Sequence, residues 1–176
     1  MILQMDEQLE RAIPDRTFVD AMRHGIAKFS VYRSHVPFVP YAYSRTSLEK
    51  TDAYELVIMQ WAPGSLSAIH DHGNSRCWVA MLEGMLDVEN FLRLDDERDG
   101  YAGLQAESTF RLKAGDLDCR SGPKELHRVR NAANRPAFSL QLYAAPLSTY
   151  SIVDERTGRC ITGVSQFDSI LDLSSL

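Results

Sequence analysis

From residue 41 onward the chain breaks into short β-type runs separated by turn residues, and no other feature limits its fold as much. The runs are YELVIMQW (54–61), CWVAMLE (77–83), STFRLK (108–113), ELHRVRN (125–131) and AFSLQLYA (137–144). Between them lie APGS, EG, DDERDG, KAGD, SGPK and NRP. In such stretches glycine allows left-handed turns, proline fixes the backbone, and asparagine or aspartate bonds back to the main chain. Many short strands with this punctuation close on one another as a barrel or sandwich, which limits exposed edges. Before them, Phe18, Met22, Ile26 and Phe29 recur at spacings of three and four after the break at Pro14. That stripe predicts a helix. The expected fold is mainly β, with a short helical N-terminal region. We expect a single domain over 1–176, with a helical cap (1–40), a β-barrel (41–164) and a tail (165–176) that could pack outside or fray.

Bulk properties exclude several function classes. A length of 176 residues suits one domain with a sizeable core. The net charge of −5 argues against nucleic acid as a partner, because phosphate binding needs a basic face. No run approaches the ~20 apolar residues of a membrane span. The opening MILQMDEQLE lacks a basic segment followed by an apolar one, so neither membrane insertion nor secretion is expected. The cysteines, Cys77, Cys119 and Cys160, are odd in number and form no CxxC pair. They exclude a fully paired disulfide framework and suit a reducing, cytoplasmic setting.

The stretch AIHDHGNSRCW (68–78) carries the chemistry. Residues two apart on a strand share a face, so His70 and His72 are expected to point the same way. A third histidine, His127, lies in PKELHRVRN. Three neutral imidazoles, two from one strand and one from another, can hold Fe, Zn, Cu or Ni. An HxH pair alone is most often surface decoration or a satisfied core pair. The surrounding glycines and proline are what point to a metal. Gly64, His70, His72 and Gly84 follow the spacing of the first cupin motif, whose usual glutamate falls at or beside Cys77. Gly115, Pro123, His127 and Asn131 follow the second, with a slightly long Gly–Pro spacing. Without that carboxylate, three neutral histidines leave a divalent ion near +2, which favours anionic ligands such as a thiolate.

The sequence further resembles the cysteine dioxygenase family, the thiol dioxygenases of the cupin superfamily. The likeness runs from about Tyr41 to Gly158 and is carried by YAYSR, WAPGSLSAIHDHGNSRCW, LEGML, LHRVRN, SLQLYAAP and DERTGR. It implies a cupin, jelly-roll-like barrel in which His70, His72 and His127 bind Fe(II). It implies that Arg45 and Tyr43 bind the substrate, and that Cys77 and Tyr143 occupy the positions joined by a thioether in animal members. The implied reaction oxidises the thiol of L-cysteine with both atoms of O2 to cysteine sulfinic acid, in a protein commonly monomeric. Arg45 has a planar fork suited to a carboxylate, and Tyr41, Tyr43 and Arg45 alternate onto one strand face. Ser139, Gln141 and Tyr143 likewise share a face. Trp61 and Trp78 read as barrel core, Cys119 and Cys160 as small buried hydrophobes, and His24 and His35 as structural or surface residues.

Three departures from animal members stand out. The family's Ser-His-Tyr row is Ser139-Gln141-Tyr143, and glutamine cannot ionise near neutral pH, so a Tyr143–Gln141 contact is expected without a proton relay. The Tyr-Ser-Pro-Pro stretch is Tyr143-Ala144-Ala145-Pro146, which lacks the proline that carries a cis bond in the animal proteins. The loop beside Arg45 is therefore expected to differ. Tyr150 replaces a cysteine near the pocket. A dioxygenase of another small thiol acid such as 3-mercaptopropionate is one alternative, although Arg45 favours cysteine. A metal-binding cupin without oxygenase activity, acting as a sensor or binding module, is the other.

Overall fold

Helices come first, as the apolar stripe requires. In the computed structural model, which describes residues 2–94 and 100–171, α1 spans Ile2–Ala12 and α2 spans Arg16–Ala27. A short α3 (Phe29–Tyr32) and a 3-10 turn (Arg33–His35) follow. Pro14 lies in the break between α1 and α2, and Asp15 caps α2 by accepting the Thr17 N–H at 2.8 Å. That bond satisfies one of the donors a helix start leaves open. Met22 is fully buried, and Phe18, Ile26 and Phe29 pack against the same core.

The strands among the described residues are β1 (Tyr43–Lys50), β2 (Glu55–Trp61), β3 (Ile69–His70), β4 (Arg76–Glu83), β5 (Met85–Arg93) and β6 (Leu104–Lys113). They continue as β7 (Leu117–Ser121), β8 (Glu125–Arg130), β9 (Ala137–Ala144), β10 (Thr149–Val153), β11 (Cys160–Val164) and β12 (Ser169–Ile170). They form two six-stranded sheets. One has the order β12-β1-β2-β9-β4-β7 and the other β11-β10-β3-β8-β5-β6. The five runs read from the sequence correspond to β2, β4, β6, β8 and β9. The expected turn at 95–99 and the tail residues 172–176 lie outside the described residues.

The first sheet is covered on both faces. Its outer face carries Leu56, Ile58, Trp78, Ala80, Phe138, Leu140 and Leu142, which pack with Met5, Leu9, Ile13, Val19 and Met22 from the helices. Its inner face presents Val57, Met59, Trp61, Cys77, Val79 and Met81 to Leu86, Val88 and Val129 of the second sheet. This double burial is why β2 is apolar or buried at every position rather than alternating. Trp78 is core as expected, and its indole N–H donates to the Ala12 carbonyl at 3.1 Å, tying the end of α1 to β4. His24 and His35 are exposed on the cap.

The chain after 164 does not simply fray. Ser169 and Ile170 pair in parallel with Thr46 and Ser47 of β1. The Asp168 carboxylate accepts the Arg45 backbone N–H at 2.8 Å. This edge strand therefore lies against the strand that bears Arg45. No helix among the described residues is long and apolar enough to cross a membrane.

Candidate metal centre

His70 ends β3 and His127 sits on β8, and the two are cross-strand partners. His72 follows two residues after His70, just beyond the strand. The ring centroids of His70 and His127 are 4.4 Å apart, and those of His72 and His127 4.8 Å apart. One ligand nitrogen from each of the three lies within 4.8 Å of the others, so a single ion can be shared. Asp71, between the two histidines, is fully buried. Its Oδ1 accepts the Gly73 and Ser151 N–H groups at 2.9 Å each, and its Oδ2 lies 3.5 Å from the Arg93 guanidinium. Gly73 has φ +55°, and a Cβ there would stand 2.5 Å from the Thr149 carbonyl. Only glycine lets the chain turn this close to β10.

The imidazoles are prepared for a metal. His70 Nδ1 lies 2.9 Å from the Ala68 carbonyl, which leaves Nε2 as the ligand atom. Nδ1 of His72 and of His127 are buried without a hydrogen-bond partner among the described residues. Burial holds the His70 pKa below the ordinary imidazole value. Burial, together with repulsion from the neighbouring histidines and Arg120, holds His72 and His127 well below it. All three are therefore neutral near pH 7, as ligation requires. A trio of one half-buried and two buried imidazoles, with orphaned ring nitrogens on His72 and His127, fits a divalent transition metal of the kind imidazole prefers.

The three histidines open on a cavity of about 70 Å³ that Tyr43, Arg45 and Tyr143 also line, and the Tyr143 ring packs edge-on against His72 with centroids 5.5 Å apart. Arg45 Nη2 donates to the Ser165 hydroxyl at 3.2 Å and lies 3.5 Å from Glu55 Oε1. Its Nε is buried and unpartnered. Burial works against the Arg45 charge, but Tyr143 and Glu55 outweigh it and raise the pKa. The guanidinium lies 5.4 Å from the Tyr143 ring centroid and 5.7 Å from that of Phe167. Tyr43 packs on Trp61 at 4.8 Å, and both line the cavity. Trp61 is thus core and wall at once. Tyr41, expected beside them on the strand face, lies before β1 and is exposed with φ +59°. It does not join the site.

Cys77 on β4 and Tyr143 on β9 are cross-strand partners, and both are buried. Burial pushes both the thiol and the phenol well above their ordinary pKa values. No disulfide joins Cys77, Cys119 and Cys160. The Tyr143 hydroxyl donates to Gln141 Oε1, as expected from the row. Gln141 Nε2 donates to the Ser139 hydroxyl at 3.5 Å, and Trp61 Nε1 donates to the same oxygen at 3.1 Å. The loop that follows corrects one expectation. Although no proline occupies position 145, the Ala144–Ala145 peptide is cis, and the Ser75 hydroxyl donates to the Ala145 carbonyl.

The sequence reading missed several groups near the cavity. Glu55 is fully buried between Arg45 and Lys50, with its Oε2 3.4 Å from the Lys50 ammonium. Burial raises its pKa against the pull of both cations. Arg120 and Asp118, on β7, also line the cavity. Arg120 donates to Asp118 at 2.7 Å and to Asn90 at 2.6 Å. A strand-length run, LDCRS, between two turn signals was the available clue to β7.

Comparison with known sequences decides the family. The profile of the cysteine dioxygenase type I family matches residues 2–156. The chain belongs to that family. Human cysteine dioxygenase type 1 is 33% identical over 126 residues, which are 70% of this chain and 62% of the human protein. The chain thus matches about three fifths of that relative's length. Among solved structures, the TT1209 protein from Thermus thermophilus has a TM-score of 0.52 at 18% identity, covering 65% of this chain and 94% of that one. A Klebsiella pneumoniae protein with a double-stranded beta-helix domain has a TM-score of 0.50 at 16% identity, covering 76% of this chain and 93% of that one. These likenesses concern the fold, which is a mainly β cupin.

Proposed function

We propose that this member of the cysteine dioxygenase family is a non-haem Fe(II) thiol dioxygenase that converts L-cysteine and O2 to cysteine sulfinic acid. The observation that carries the reading is the shared cavity, lined by three neutral imidazoles, of which His72 and His127 are buried and His70 half-buried, and by a charged, partly unpartnered Arg45. His70, His72 and His127 would hold the iron. Fe(II) bound by three neutral imidazoles keeps its full charge and supplies the redox chemistry by which both atoms of O2 reach sulfur. The product lies directly on the sulfinic rung of cysteine oxidation.

The chain's own groups then bind and orient. The Arg45 fork takes the substrate carboxylate, with Tyr43 beside it on the same strand face. Burial keeps the Tyr143 phenol protonated, and Gln141 fixes its orientation by accepting from it. Cys77 and Tyr143 are the pair a thioether would join. An intact mass two hydrogens below the sequence mass would reveal that bond. At roughly 10–15 Å³ per water-sized group, a cavity of about 70 Å³ has room for a thiol acid of a few atoms. We place the protein in a reducing cytoplasm, acting as a monomer on small molecules.

The test is an iron assay coupled to oxygen uptake and sulfinate detection over a panel of thiols. Stoichiometric sulfinate from L-cysteine is the expected result. Preference for 3-mercaptopropionate would reassign the substrate, and iron-loaded protein without thiol-dependent oxygen uptake would remove the enzyme reading.

A further inference from the structure

Tyr150 on β10 and Gly163 on β11 are cross-strand partners. A Cβ placed on Gly163 would stand 2.8 Å from both Cε2 and Cζ of the Tyr150 ring, and 3.0 Å from Cδ1 of Ile152. The glycine is not required by its backbone, since its φ lies outside the left-handed region. What it provides is contact with a ring, and an interior strand glycine commonly marks such close approach. Tyr150 and Ile152 both line the cavity, whereas Gly163 lies behind them and is not part of its wall. The Tyr150 ring also packs edge-on against His70, with centroids 5.8 Å apart. It lines the same cavity as the three histidines, Tyr43 and Arg45. Backed by Gly163, the ring has no room to move toward β11.

We propose that Tyr150, seated on the bare Cα of Gly163, sets the upper size of the carbon chain between the thiol and the carboxylate of the substrate. This inference rests on the thiol-acid reading of the site. A ligand with sulfur at the histidines and its carboxylate at Arg45 must thread its middle carbons past the Tyr150 ring. Small acids with no branch at the carbon next to sulfur, L-cysteine among them, fit. Branching at the carbon next to sulfur meets the ring. Gly163 is the positioning member of the pair, because any larger residue there drives the ring into the space the ligand uses.

Four iron-loaded proteins test this: wild type, Tyr150→Ala, Gly163→Ala and the double variant. Each is assayed with L-cysteine and with penicillamine, which adds two methyl groups beside the sulfur. Anaerobic binding of both thiols by calorimetry gives a readout independent of turnover. Gly163→Ala should weaken L-cysteine binding and kcat/KM by roughly tenfold or more, the scale of a misplaced methyl group in a pocket. Adding Tyr150→Ala should restore most of that loss. Tyr150→Ala alone should move the penicillamine-to-cysteine ratio upward by a similar factor. Iron content should stay equal across the set.

A Gly163→Ala loss that the second substitution fails to relieve would overturn the proposal, since the damage would then not pass through the ring. An unchanged penicillamine ratio in Tyr150→Ala would overturn it as well. Wild type that binds L-cysteine without consuming oxygen would refute the dioxygenase reading alone, and the binding constants would still decide the pair. Wild type that binds neither thiol would remove both.

Discussion

Arg45 carries its charge in a nearly closed setting, which is tolerable because Glu55 and the aromatic faces of Tyr143 and Phe167 surround it. Replacing it removes a charged anchor, and hydrogen bonds to charged groups are worth about 1.5–3 kcal/mol. Arg45→Ala is expected to lower kcat/KM for L-cysteine by roughly 10- to 100-fold, mainly through KM. Iron content should be unchanged, and unchanged kinetics would remove Arg45 from the site. The same change leaves Glu55 buried with Lys50 alone, so stability should fall by about 3 kcal/mol, the low end for a broken buried pair. Part of that loss should return in the Arg45→Ala, Glu55→Gln double variant when both are compared by urea unfolding. Gln141 offers a second test. Gln141→Leu leaves the Tyr143 hydroxyl without its acceptor, a cost of about 1–3 kcal/mol, and should reduce kcat more than iron binding. A variant with wild-type kcat would mean that the orientation of Tyr143 does not matter. The three histidines were legible by their spacing within two local motifs, whereas Arg45 was legible only through the family resemblance. Glu55, Asp71 and Arg120 were not, because an acid or arginine in a strand reads as a solvated face until its partner is known.

Elements were legible where burial was simple. β2, β4 and β9 are covered by helices on one side and by the second sheet on the other, so they read as plain apolar runs. β7 was lost because its inward residues, Asp118 and Arg120, face a polar cavity rather than core. β5 alternates at first, but its register against β6 shifts between Asn90 and Phe91, which breaks the pattern. Much of β6 is exposed and polar, so only its last residues carried a signal. The helical cap was legible by its stripe, but its depth of seating was not. Gly25 brings α2 against the sheet, where an added Cβ would meet Leu140 Cδ2 at 2.7 Å and Leu56 Cδ2 at 3.3 Å. These are ends of flexible side chains, so Gly25→Ala should be near neutral, helix propensity offsetting the crowding. Gly25→Leu cannot be absorbed in this way and should cost about 1–3 kcal/mol by urea unfolding. If Gly25→Leu is as stable as wild type, α2 does not seat on the sheet through this contact.

The site belongs to the whole molecule because its two halves come from different sheets. His70 and His127 lie in the sheet that also bears Tyr150, while Tyr43, Arg45, Cys77 and the Ser139-Gln141-Tyr143 row lie in the other. Each half-motif could be read along the chain, but the distance across the cavity could not, since it depends on how the two sheets close. A metal at the three histidines would tie β3, the turn after it and β8 together, and binding to the folded state alone stabilises that state by mass action. At metal concentrations of 100 to 1,000 times the dissociation constant the gain is about 3–4 kcal/mol. For a domain of this size each kcal/mol moves Tm by roughly 2–4 °C. Chelation of the iron-loaded protein should therefore lower Tm by about 5–15 °C, and restoring Fe(II) should return it. In His127→Ala the same chelation should leave Tm unmoved, because two imidazoles cannot hold the ion comparably. An equal shift in wild type and His127→Ala would place the stabilising metal elsewhere on the surface, and no shift in iron-replete wild type would mean that the trio does not bind it in the folded state.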